Sequence, residues 1–271
     1  MPEILEWRGV EGLVAAEVLT DNDTDGYTVG EVKPLAGVAR IERTVNSETA
    51  AHYYDNIPAV IIVSQGADTI TADVSAIPLD IAAWLTGQIY DADTGAVYEG
   101  KRQPKYFAVG YKTKKSNGDE VYVWRLKCSC TVPDQENNTE NDSTDANGQQ
   151  IVFTGISTTH KFEKTGEGAK AVVVDVAKNL ADVDAFFDTV TTPDTLTAKT
   201  EYTLTISQAA NTTVTVKRGS ATLGNNEKIH AGDQLKISVT GGTVTVNSTA
   251  FISGDIHIVA GNTTVASTAS A

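Results

Sequence analysis

The sequence predicts a mainly β protein in two parts: a larger domain built around one long hairpin with one or two short flanking helices, and a small C-terminal β-sandwich. Three observations lead there. Most apolar runs alternate with a period of two, the pattern of half-buried strands. Asn117-Gly118 joins two such runs within Lys105 to Val132, and Asn-Gly between alternating segments is the strongest short-range hairpin signal. Residues 201–271 are rich in Thr, Val and Gly, with short strands spaced between Gly, Asn and Asp turns, as in a sandwich. At 271 residues and 41% hydrophobic content, the chain can fill the core of one large domain or two ordinary ones.

Taken in order, Gly12 to Leu19 and Tyr27 to Lys33 read as strands around an acidic turn, followed by strands at Gly37 to Val45, Ala59 to Ser64 and Thr69 to Val74. Pro78 to Leu85 reads as a short helix, with proline at its start and Gly87 just past its end. A second acidic turn, Asp91 to Gly95, precedes the Asn-Gly hairpin. Strict alternation in the second hairpin strand puts Tyr122, Trp124, Leu126, Cys128, Cys130 and Val132 on one face. It puts Val121, Val123, Arg125, Lys127, Ser129 and Thr131 on the other. The first face requires a core and the second water. A hairpin this long is marginal alone and must belong to a larger sheet.

Pro133 to Gln150 is polar and reads as a surface loop. Strands resume at Ile151 to Phe162 and Ala169 to Val174, and Leu180 to Val190 has helical spacing through Val183, Phe186, Phe187 and Val190. Thr191-Thr192-Pro193-Asp194 ends that run. The expected division is a first domain at 1–192, a linker at 193–200 and a sandwich at 201–271, with strands near Tyr202 to Ser207, Thr213 to Lys217, Gln234 to Val239, Thr243 to Val246 and Asp255 to Val259.

The formal charge is −14. Residues 191–271 balance Asp194, Glu201, Glu227, Asp233 and Asp255 against Lys199, Lys217, Arg218, Lys228 and Lys236, so the whole excess lies in residues 1–190. Binding nucleic acid by neutralising phosphates needs a basic footprint, which this chain lacks. Met1 to Glu6 has no basic segment before an apolar run, so no secretory signal is expected. The apolar runs at Ala59 to Val63 and Ala171 to Val176 fall far short of the ~20 residues that span a bilayer, and no membrane insertion is expected.

Chemistry-bearing motifs are sparse. Cys128 and Cys130 share a strand face under strict alternation, which disfavours a disulfide, and the histidines at 52, 160, 230 and 257 are too scattered to complete a zinc site. Buried free thiols and a reducing compartment are expected. Asp21-Asn22-Asp23-Thr24-Asp25-Gly26 matches the first half of a calcium loop, but position twelve is Val32 and strands flank it, so it reads as an acidic turn. Gly155-Ile156-Ser157 lacks the closing glycine of a nucleophile elbow, and Thr165 to Lys170 lacks P-loop spacing. Asn211, Asn247 and Asn262 begin glycosylation sequons that read as turns and strands. No enzymatic activity, cofactor or metal is expected.

Six segments in order carry a resemblance. They are Asp25-Gly26-Tyr27; Glu48-Thr49-Ala50-Ala51-His52-Tyr53-Tyr54-Asp55-Asn56; the helix Pro78 to Leu85; Gln103-Pro104-Lys105-Tyr106-Phe107-Ala108; the Asn-Gly hairpin; and Ala185-Phe186-Phe187-Asp188-Thr189-Val190. Over residues 1–190 the chain resembles the major tail, or tail-tube, proteins of long-tailed bacteriophages with non-contractile tails, and its C-terminal part resembles the immunoglobulin-like additions on the outside of phage tails. The resemblance implies a tail-tube β-sandwich or barrel domain that forms homohexameric rings. These stack into a tube in which hairpins from each subunit complete an inner β-barrel. It further implies a structural virion protein of the tail, assembled in the host cytoplasm, that acts as conduit for DNA ejection. The partners implied are a tape-measure protein and a tail terminator, with DNA crossing the lumen without specific binding. His52, Tyr53, Tyr54, Asp55 and Asn56 would then form an inter-subunit or inter-ring loop, and Arg125, Lys127, Ser129 and Thr131 would face the lumen. The competing expectation is a tail decoration or surface adhesin module that binds host glycans. Against it, residues 201–271 offer only Tyr202 and Phe251 as sugar-stacking aromatics.

Overall fold

Alternating segments pair into antiparallel ladders where turn residues reverse the chain, and this arrangement dominates the computed structural model, which describes residues 4–54, 57–134 and 148–270. The protein is mainly β. It divides into two compact units, residues 1–177 with 183–196, and residues 178–182 with 197–271. The five-residue segment Lys178–Asp182, expected with the first domain, thus clusters with the second unit. Among the described residues no helix is long and apolar enough to cross a membrane.

The first unit contains β1 (Trp7–Asn22), β2 (Gly26–Val29), β3 (Lys33–Pro34), β4 (Val38–Tyr54), β5 (Ile57–Val74), helix α1 (Leu79–Thr86), β6 (Ile89–Asp91), β7 (Ala96–Tyr98), β8 (Tyr106–Lys115), β9 (Glu120–Cys130), β10 (Gln149–Gly155) and β11 (Ala171–Asp175). One antiparallel sheet runs β2-β1-β8-β9-β10-β5-β4, with β3 added on β1 and β11 on β9. The far edge of β9 is shared, Val121–Arg125 pairing with β11 and Cys128–Cys130 with β10. Among the described residues the sheet does not close into a barrel, and β2 and β4 remain its ends. The separate hairpin β6–β7 carries the second acidic turn, where the Asp91 carboxylate accepts from the Asp93 and Thr94 amides.

The Asn-Gly hairpin forms as β8 and β9, with the left-handed Gly118 at φ 95° in its turn. Its faces differ from strict alternation. Phe107 stands opposite Cys128 but Val109 opposite Arg125, so Leu126 and Lys127 together face the single Ala108. This bulge shifts the alternation by one residue. Val121 and Val123 therefore join Cys128 in the main core, with Phe107, Val109, Tyr111, Ile70, Ile151 and Phe153. The other face of the first half is covered as well. Tyr122 and Trp124 lie against Phe186 and Phe187, and the Trp124 indole donates to the Phe186 carbonyl at 2.7 Å. Gly110 sits opposite Trp124 because a Cβ there would meet the indole ring at 2.9 Å.

Helix α1 forms as expected, closed by the left-handed Gly87, with Trp84 packed edge-on against Phe107 at 4.8 Å. The second expected helix does not form. Residues 184–190 are consecutive turns, with Phe186 N–H donating to Val183 O and Asp188 N–H to Ala185 O. Neighbouring positions on a helix point about 100° apart, so a helix would not lay both Phe186 and Phe187 on Tyr122. Val183, Thr189 and Val190 are also weak helix formers.

The second unit contains β12 (Glu201–Ser207), β13 (Thr213–Arg218), β14 (Ala221–Leu223), β15 (Lys228–His230), β16 (Gln234–Thr240), β17 (Gly242–Val246), β18 (Thr249–Phe251), β19 (Ile256–Ile258) and β20 (Thr263–Ala269). Two sheets, β15-β12-β20-β17-β18 and β14-β13-β16-β19, enclose one apolar core around Leu204, Val216, Ile229, Leu235, Ile237 and Val265. This is a β-sandwich whose first and last strands, β12 and β20, pair in parallel. Ala181 bridges Ala198, and the Asn179 side chain donates to the buried Asp233 carboxylate at 2.7 Å, which explains why residues 178–182 belong to this unit.

Candidate functional site: a projecting hairpin and its charged base

The longest strands of the protein, β4 and β5, pair with each other from Val38↔Val74 to Tyr54↔Ile57. On its other edge β5 is paired to β10 only over Asp68–Val74. Beyond Asp68 the two strands continue as a free ribbon of about ten residues each, roughly 30 Å long. Every described side chain from Glu42 to His52 and from Ile57 to Gly66 is exposed. The exposed set includes Val45, Val60, Ile57 and Ile61, the last two at 64% and 66%. Residues 44–67 contain no lysine or arginine. Natural edge strands are usually blunted by such charges, and an isolated two-stranded ribbon is marginal in water. Among the described residues this arm lacks a covering partner within its own chain.

Register shifts shape the arm. Gly66 and Ala67 oppose the single Asn46, whose side chain donates to the Ala67 carbonyl at 2.9 Å, and a Cβ on Gly66 would meet the Asn46 carbonyl at 3.1 Å. A bulge at this point bends and twists the ribbon where it leaves the sheet.

The base is fixed electrostatically. Asp68 is 1% exposed and its carboxylate accepts from Arg43 at 2.6 and 2.9 Å and from Lys170 at 3.1 Å, with the Arg125 guanidinium at 3.9 Å. Burial alone pushes the Asp68 carboxyl up, but the hydrogen bonds and charges of Arg43 and Lys170 outweigh it and hold the group below its ordinary value. The carboxylate thus ties β5 to β4 and to the segment before β11.

The residues expected to form an inter-subunit loop are placed as strand. His52 is exposed near the far end of β4, Tyr53 and Tyr54 complete that strand, and Asp55 and Asn56 lie outside the described residues. The tyrosine segment is therefore part of the arm, because residues 45–54 find register partners in 57–68 and extend the ladder.

The expected water-facing set on β9 is corrected in part. Arg125 and Lys127 are 8% and 9% exposed within this chain, and neither presents its charge to solvent. Lys127 pairs with Asp21 and donates to the Thr159 hydroxyl, while Arg125 turns toward Asp68. Ser129 is half-buried and Thr131 is exposed. The bulge at Leu126–Lys127 and the cover supplied by residues 156–170 account for the change. Acids elsewhere in the chain meet these cations: an alternation reading assigns a face but not what crosses it.

The acidic turn is also engaged by its own chain. The Asp21 carboxylate accepts from the Thr159 and His160 amides at 2.9 Å, and the Asn22 side-chain oxygen accepts from the Thr24 and Asp25 amides. Burial raises the Asp21 carboxyl, but the His160 amide and Lys127 draw it below its ordinary value. Among the described residues no group of three or more His, Cys, Asp or Glu side chains is arranged to hold a metal ion.

Cys128 and Cys130 are free thiols, buried and half-buried, and burial pushes both up to about 12. Thiolate is the reactive form, so neither is expected to react with Ellman's reagent at pH 8 within minutes in the native protein, whereas both should react at once in denaturant. Rapid native labelling would show that the strand around the bulge opens readily.

In the second unit Tyr202 and Phe251 are half-buried against the core, which removes them as open stacking platforms for sugars. The residues that the sequence reading missed are Asp68 and the exposed apolar set Val45, Ile57, Val60 and Ile61. Their signal was the run of 44–67 without any basic residue. In comparisons with known proteins, no family model matches the chain and no curated protein matches it.

Proposed function

We propose that the protein is a structural subunit that assembles with copies of itself, the β4–β5 arm of each copy pairing or packing with its neighbours into a continuous β wall. The observation that carries this reading is the arm itself: edges and faces open among the described residues, exposed valines and isoleucines, and no basic gatekeeper over residues 44–67. Added strands satisfy open backbone groups, and closure into a ring removes edges altogether. A closed ring is the usual end of head-to-tail association.

The order of segments over residues 1–190 points to one assembly in particular, the tail tube of long-tailed bacteriophages, built of stacked hexameric rings through which DNA leaves the capsid. The excess of acid in the same residues supports it. Duplex DNA carries about one charge per 1.7 Å, and a net negative wall repels phosphate and limits sticking. With Lys127 paired to Asp21 and Arg125 buried beside Asp68, the basic residues that would have gripped DNA are withdrawn from that role. The sandwich of residues 197–271, with parallel first and last strands, fits an immunoglobulin-like exterior addition.

Electron microscopy of the purified full chain tests the proposal. Rings or tubes of uniform bore are expected at high protein concentration. Monomers at every concentration and salt would overturn it.

A further inference from the structure

A cavity of about 650 Å3 opens among β1, β4, β8, β9 and β11 of the first unit. Its apolar wall includes Ile41, Tyr111 and Val123, and Trp7 and Val173, 68% and 56% exposed, also line it. Arg40, Arg43 and Arg125 line the same space. Three arginines in one apolar cavity are unexpected in a chain of net charge −14.

Arg125 is the informative member. Its side chain is 9% exposed, and among the described residues its buried Nε has no hydrogen-bond partner and its one ion pair is the 3.9 Å approach to Asp68. That carboxylate is already held by Arg43 and Lys170, so three cations share one acid. A buried donor without an acceptor is costly, and buried guanidinium groups are normally matched by a planar anion. Arg40 is different, being exposed and paired to Glu42 with Asp73 at 3.7 Å. The demand for an acceptor is therefore concentrated at Arg125, beside apolar walls that gain by covering hydrocarbon.

We infer that this cavity binds an amphipathic carboxylate, an acid group on an apolar body. The carboxylate would be taken by the Arg125 guanidinium with Arg43 beside it, and the body would lie along Ile41, Tyr111 and Val123. The volume falls within the range of sites for small organic ligands. Inorganic phosphate would answer the charge alone and a neutral alcohol the walls alone, so the site selects for the two together. This inference does not depend on how the chain assembles.

Isothermal titration calorimetry of the full chain with octanoate, 1-octanol and inorganic phosphate tests it. Octanoate should bind at one site per chain, with the alcohol and phosphate each weaker by at least about tenfold. Arg125→Gln should weaken octanoate by at least about tenfold while leaving octanol unchanged. Because Arg125 is buried, Val173→Trp provides a second arm: it places bulk on the exposed edge of the cavity without touching the charged cluster, and it should also suppress octanoate binding. Octanol binding as tightly as octanoate, no octanoate binding to the wild-type chain, or undiminished octanoate binding in Val173→Trp would each overturn the inference.

Discussion

Replacing Glu48–Ser64 by Asn-Gly, so that Ser47 and Gln65 close a two-residue turn, is expected to abolish self-assembly and leave a folded monomer. Ser47 and Gln65 are direct partners in the ladder, and Asn-Gly suits a two-residue hairpin connection. The excised segment contributes no described buried side chain. The Asn46 to Ala67 hydrogen bond and the Arg43–Asp68 pair, which fix the base, are kept. Surface changes of this kind usually alter stability by no more than about 0.5 kcal/mol, so the melting temperature should shift by about 2 °C or less. Sedimentation velocity and electron microscopy would read the loss of oligomers, and thermal unfolding would confirm the intact fold. Tubes formed by the shortened protein would mean that another surface drives assembly.

Asp68→Ala is expected to produce the largest stability loss of any single substitution at the arm. Removing the carboxylate leaves Arg43, Arg125 and Lys170 facing one another around a buried space. Breaking a buried pair on one side costs about 3–5 kcal/mol, and for a unit of this size that corresponds to about 10 °C in melting temperature. Scanning calorimetry of the full chain should show the effect on one transition only, since Asp68 and its partners all lie in the first unit. A loss below about 1 kcal/mol would show that the cluster is solvated in solution. The same chemistry sets the acid limit. Asp21, Asp68 and Asp233 are each raised by burial but drawn further down by amides and cations, so all three carboxyls sit below their ordinary value in the fold. A depressed folded value adds stability that is complete above the unfolded value, about 3.9, and vanishes as pH falls through the folded values. Stability should therefore fall off below about pH 4, and Asp68→Ala should blunt that fall.

Much of the fold was legible because it rests on local chemistry. Asn117-Gly118 marked the hairpin, Pro78 and Gly87 bracketed α1, and the Gly and Asn turns of residues 201–271 marked a sandwich. What was not legible depended on long-range partners. Residues 52–54 belong to a loop only by the resemblance, and residues 48–54 are strand because 57–64 lie opposite them. Phe186 and Phe187 have helical spacing, yet the aromatic face of Tyr122 and Trp124 holds them in turns. Lys127 and Arg125 look like solvent-facing residues until Asp21 and Asp68, more than fifty positions away along the chain, arrive beside them. The arm was half visible: its tyrosine segment stood out, while its length and its exposure are properties of the folded sheet.

The extra residue at Leu126–Lys127 changes the phase of a whole strand, and this makes it a point in β9 where the chain can be shortened. Any substitution at either position leaves the reading frame of inward and outward side chains intact. Deleting one of them restores strict alternation across β9. Val121, Val123, Cys128 and Cys130 would then share one face by plain alternation, with Cys128 and Cys130 still opposite Phe107 and Phe153. A one-residue deletion at the bulge is therefore absorbed by the sheet, whereas a deletion elsewhere in β9 turns one half of the strand over against the other, and natural variation in the protein should tolerate a change of count here better than at other positions of the strand.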